Sequence, residues 1–160
     1  MKFLAGMLVA LLAGGCALEV DTAPATSWSA DDDVRDQARE AVAEACKAFG
    51  ECLPEAPRST EHGVHFTRGA TTHEGAEAQW VVGTRTVTLV PASKGPVARQ
   101  ALLHELGHAL GMPHDDSVYV AVMQPGVDAA HPEYAVTGYT CQDRMVFASL
   151  RGRAMPVCER

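Results

Sequence analysis

Residues 102–116 read LLHELGHALGMPHDD, and His104, Glu105, His108, Gly111 and His114 have the types and spacing of a hydrolytic metal site. In a helix, positions four apart lie about 40° apart around the axis and about 6 Å along it. His104 and His108 therefore share a face, while Leu102, Leu106 and Ala109 fall on the opposite side and can pack into a core. Glu105 lies about 60° around from His108, close enough to reach a water on a metal but poorly placed to compete as a ligand. A zinc ion held by two histidines needs a third protein ligand and one open position if it is to hydrolyse anything. Gly111 can adopt a backbone conformation closed to other residues, which ends the helix and turns the chain, so that His114 approaches from a loop stiffened by Pro113.

The rest of the chain must supply that helix and a core for it to rest on. At 160 residues, 47% hydrophobic and 21% charged, the composition is that of one globular domain. Pro96 suits a helix start, and VARQALLHELGHALG follows towards Gly111. Upstream, SADD offers Ser29 as a cap with Asp31, Asp32 and Asp33 as an acidic first turn. Val34, Ala38, Ala41, Val42, Ala45 and Phe49 then recur at helical spacing up to Gly50. Three short strands follow. HGVHFTRG points Val64 and Phe66 inward, a second strand spans 79–82, and TRTVTLVP alternates Val87 and Leu89 with threonines, with Gly83 and Thr84 at the turn. Residues 112–139 read as a long functional loop. A last helix starts near Thr140, where TCQD offers a cap, and runs towards Gly152. The expected fold is α+β: a long N-terminal helix, a small mixed twisted sheet, the site helix and a C-terminal helix.

The opening residues MKFLAGMLVALLAGGC place Lys2 before an apolar run too short to span a bilayer and ending in small residues, which reads as an export signal over 1–15. LAGGC resembles a bacterial lipobox, which implies lipidation of Cys16, a tether over 16–28 and a domain over 29–160 at the cell envelope. Export implies oxidising conditions, and Cys46, Cys52, Cys141 and Cys158 remain as an even set for two disulfides. Four cysteines allow three pairings, of which short loops favour Cys46 with Cys52 and Cys141 with Cys158. Loss of Lys2 with the signal takes the net charge from −7 to −8. An acidic domain argues against nucleic acid and against an electrostatic grip on anionic headgroups, and leaves the membrane reached only through the lipid.

HELGHALGMPH matches HExxHxxGxxH at all five defined positions, and AVMQPG places Met123 nine residues beyond His114 with Pro125 two places later. On these residues the chain resembles the metzincin zinc endopeptidases, matrixin-like in its methionine-x-proline arrangement. The resemblance implies His104, His108 and His114 as ligands of one catalytic zinc ion, Glu105 as general base, and Met123 in a turn beneath the metal. Asp115 directly follows His114, as in the adamalysin branch, whereas matrixins more often carry serine there; this implies a structural hydrogen-bonding residue and leaves the branch open. The implied reaction is hydrolysis of peptide bonds in a protein or peptide substrate by a monomeric domain. An edge strand at 84–90 would align the extended peptide by strand addition.

Other residues carry weaker signals. His62, His65 and His73 could hold a structural zinc, but exposed strand or loop histidines account for them. Asp31, Asp32 and Asp33 could hold calcium, but the acidic first turn of a helix accounts for them. His131 reads as a surface histidine beside the cleft, and Tyr119, Tyr134 and Tyr139 as residues of the cleft-forming loop. The rival to an enzyme is a zinc-retaining, catalytically silent binding module on the cell surface, for which a carboxylate at Glu105 has no use.

Overall fold

The computed structural model describes residues 23–58, 60–116, 121–125 and 131–158. Strand β1 (Ser27–Ala30) leads to helix α1 (Arg35–Phe49), strands β2 (Gly63–Arg68), β3 (Ala78–Val81) and β4 (Thr86–Leu89), then helices α2 (Gly95–Ala109) and α3 (Cys141–Leu150). The architecture is α+β with a mixed sheet in the order β1-β2-β4-β3. β1 and β4 flank β2 in parallel, and β3 runs antiparallel to β4.

Period-two alternation gives the sheet one apolar face and one polar face. Trp28, Ala30, Val64, Phe66, Val87 and Leu89 are buried in the core. Their neighbours Ser29, His65, Thr67, Thr86 and Thr88 face the other way. α1 buries Ala38, Ala41, Val42, Ala45 and Phe49 at helical spacing and ends at Gly50, whose φ of 71° is the left-handed conformation glycine tolerates. α2 buries Leu102, Leu103, Leu106 and Ala109 between α1 and the sheet. Phe49 stacks on Phe147 at 4.2 Å between centroids and meets Tyr139 at 4.4 Å, which docks α3 against α1.

Three expectations are corrected. Ser29 does not cap α1, because it lies inside β1. The helix starts at Arg35 with Val34 as its N-cap, and Asp31, Asp32 and Asp33 precede it in a turn. Residues 25–28 are not tether: Ala25 N–H donates to Ala109 O at 2.8 Å, Thr26 N–H to His62 O at 3.0 Å, and Ser27 and Trp28 pair with Gly63 and Val64. A four-residue strand whose partner is more than thirty residues away leaves too short an alternation to read. Finally, β4 pairs on both sides and β1 meets the 54–56 segment through Trp28, so among the described residues the free edge belongs to β3.

α3 begins as its sequence indicates. Thr140 Oγ1 accepts from Asp143 N–H, and the Asp143 carboxylate accepts from Thr140 N–H, a capping box that satisfies two end groups. The short-loop pairing of cysteines is present, with Cα atoms 4.3 Å apart for Cys46–Cys52 and 5.8 Å for Cys141–Cys158. Among the described residues no helix is long and apolar enough to cross a membrane.

Candidate metal centre

The last turns of α2 deliver two of the three histidines, and the way the helix stops delivers the third. Gly111 N–H donates to His108 O at 2.8 Å and Met112 N–H to Gly107 O at 2.9 Å, with Gly111 at φ 84°. This is a Schellman ending, and it reverses the chain within two residues. The turn leaves the Met112 carbonyl 2.9 Å from His108 Nδ1 and brings His114 back over the helix.

The three Nε2 atoms converge. His104 and His114 are 3.1 Å apart, His108 and His104 3.1 Å, and His108 and His114 3.2 Å. His104 Nδ1 faces Val122 O at 2.8 Å, and His108 Nδ1 faces Met112 O. A carbonyl oxygen only accepts, so both Nδ1 atoms carry the proton and both Nε2 atoms present lone pairs. Burial holds His104 and His108 down at about 4, helped by repulsion from His114 on the first and from His104 and His114 on the second, so neither carries the second proton at neutral pH. Lone pairs this close repel unless a cation lies among them. Four-coordinate nitrogen ligands at about 2.0–2.1 Å from an ion stand about 3.3–3.4 Å from one another. The observed spacing is close to that, and the three histidines can hold a metal ion.

Glu105 stands beside the triad without joining it. Its Oε2 accepts the Trp80 N–H at 2.7 Å. The Glu77–Val90 backbone bond sets the pairing of β3 with β4, so the N–H and C=O of Ala78 and Trp80 point away from β4, along the free edge. The carboxyl is pushed up to about 7 by burial, against the pull of that N–H. A carboxyl at this value exchanges protons near neutral pH.

Met123 is fully buried, and its sulfur packs on Gly107 so closely that a Cβ there would lie 2.2 Å from it. Asp115 N–H donates to Met123 O at 2.8 Å, which joins the stretch after His114 to the methionine turn. Asp143 holds that turn from the other side. Its carboxylate, entirely buried, accepts from Val122 N–H at 3.0 Å and Met123 N–H at 3.1 Å while capping α3. The order of contacts is therefore Asp143 to Val122 to His104. Sequence reasoning read TCQD only as a cap and missed this role, since an acid at that position normally serves its own helix alone.

The remaining expectations separate. Pro125 is exposed beside the methionine turn, while Cys16 and Tyr119 lie outside the described residues. Tyr139 is buried with its hydroxyl donating to Leu103 O at 2.6 Å, and Tyr134 points outward. His62, His73 and His131 are exposed. The reading of His65 as an exposed histidine is corrected: it is buried under the polar face of the sheet, apart from the other two. Among the described residues, His104, His108 and His114 are the one group of metal-ligating side chains that comes together. No protein-family model matches the chain, and no curated protein matches it.

Proposed function

We propose that this chain is an exported zinc endopeptidase of the metzincin type, anchored through Cys16. The observation that carries the reading is the convergence of three imidazole Nε2 atoms, with the buried Glu105 carboxyl bonded to the outward N–H of an edge strand. Zinc fits the donor set, because imidazole ligands and an open fourth position suit it. When bound, it acidifies a water and polarises the scissile carbonyl.

The chain's own residues supply the rest. The outward N–H and C=O groups of Ala78 and the outward C=O of Trp80 give an extended peptide backbone partners beside the metal. Glu105 takes a proton from the attacking water and passes it to the departing nitrogen, a task for which a value near 7 is suited. The Val122 and Met112 carbonyls keep His104 and His108 in the ligating tautomer. The two disulfides agree with an oxidising compartment.

The test pairs metal analysis with cleavage of an unbiased peptide library by wild type and Glu105→Ala. The expected result is one zinc per chain in both proteins and cleavage by the wild type alone. Zinc in both with cleavage in neither would instead favour a silent binding module, and absence of zinc would defeat both readings.

A further inference from the structure

The polar face of the sheet, away from α2, carries a second constellation that the metal site does not use. Ser29 on β1 and His65 on β2 are register partners, so their side chains leave the sheet side by side. Ser29 Oγ lies 2.9 Å from His65 Nδ1, and His65 Nε2 lies 3.2 Å from Asp31 Oδ1. Thr67 Oγ1 donates to the other Asp31 oxygen. A serine and an aspartate thus lie at the two nitrogens of one imidazole, the serine within hydrogen-bond distance and the aspartate within ion-pair distance.

The carboxylate biases the protons by charge. Asp31 lies within ion-pair distance of Nε2, which makes no hydrogen bond, so its negative charge favours the proton on Nε2 and leaves the lone pair on Nδ1. The Ser29 hydroxyl then donates to that lone pair. The Thr67 hydrogen bond holds the Asp31 carboxyl below the usual carboxylate range, and burial lowers His65, so both groups have the required charge at neutral pH. The positive charge of Arg58 lowers both groups further. Access is not closed: Ser29 is half-buried, and the Asp31 side chain is 47% exposed.

We propose that Ser29, His65 and Asp31 form a second, metal-independent nucleophilic site that accepts acyl or phosphonyl groups from small activated esters. Ser29 Oγ bonds to the acyl carbon as its hydroxyl proton passes to His65 Nδ1. The ester C–O bond breaks, and the alcohol leaves with its electron pair and the proton from His65. Water then repeats the sequence and releases the acid. His65 is the base, and Asp31 is a positioning residue that holds the imidazole in the working tautomer.

The test uses the full chain in excess chelator with an alkyl fluorophosphonate, which forms an Oγ–P bond and expels fluoride. Adducts are located by peptide mass mapping. The expected outcome is a single adduct on Ser29, absent from Ser29→Ala and formed at least about tenfold more slowly in His65→Gln. Asp31→Asn slows it similarly, and Asp31→Glu recovers part of the rate, which a merely structural carboxylate would not produce. No adduct on Ser29 of the wild type overturns the proposal whatever the variants do. An unchanged rate in Asp31→Asn overturns it as well, and that half-exposed position keeps the test sound even if His65→Gln fails to fold.

Discussion

The sulfur of Met123 occupies the space that any side chain on Gly107 would need. Glycine in the middle of a helix normally destabilises it by about 1 kcal/mol relative to alanine. Here the sign reverses. Gly107→Ala forces Met123 to shift, and with it the turn whose Val122 carbonyl orients His104. The expected loss is about 1–3 kcal/mol of stability together with weaker metal binding. Thermal unfolding and a competitive chelator titration check it, and a stabilised variant would refute the packing argument.

Asp143 links the C-terminal helix to the metal centre. Asp143→Ala leaves the buried Val122 and Met123 N–H groups without acceptors and removes the cap, so the expected destabilisation is about 3 kcal/mol. Metal affinity should fall as well, because His104 loses a fixed partner. Unfolding in urea with and without zinc measures both effects.

Removing a ligand should act on metal before fold. His114→Ala retains α2 and the sheet but removes one of three donors. Zinc retention should drop by at least about tenfold with the far-ultraviolet dichroism unchanged. Equal zinc content by elemental analysis would mean that the metal is held elsewhere.

The metal-free protein should show a defined dependence on pH. His104 and His108 have folded values near 4 against 6.5 when unfolded, so between these the unfolded chain binds two protons that the folded chain does not. Stability from this source is present above 6.5 and lost as pH falls towards 4. Glu105, near 7 when folded and 4.5 when unfolded, acts oppositely and favours the folded state at lower pH. Between about pH 4.5 and 6.5 these three groups leave a net rise of one proton's worth, about 1.4 kcal/mol per pH unit. Glu105→Gln removes the opposing group, so its slope in chelator should exceed that of the wild type by about the same amount.

Much of this arrangement was legible in the residues themselves. The ligand triad, Gly111 and the start of α3 rest on local rules: helical periodicity, the glycine ending and the capping pattern. These depend on neighbours within five residues, and the chain order records them. β1 was lost for the opposite reason, since its four residues become a strand only by pairing with β2 and the segment after Cys52. The sheet edge was misassigned because the order β1-β2-β4-β3 departs from chain order. The Trp80 contact with Glu105 and the double use of Asp143 span 25 and about 20 residues respectively, and no local pattern encodes them.

The dependence of the methionine turn on Asp143 also sets an order of events during synthesis. A growing chain that already contains His104, His108 and His114 has no fixed carbonyl for His104 until α3 has emerged and docked. Until then His104 lacks the carbonyl that fixes its tautomer, so the ordering of the three imidazoles is completed only once the chain has been made through α3.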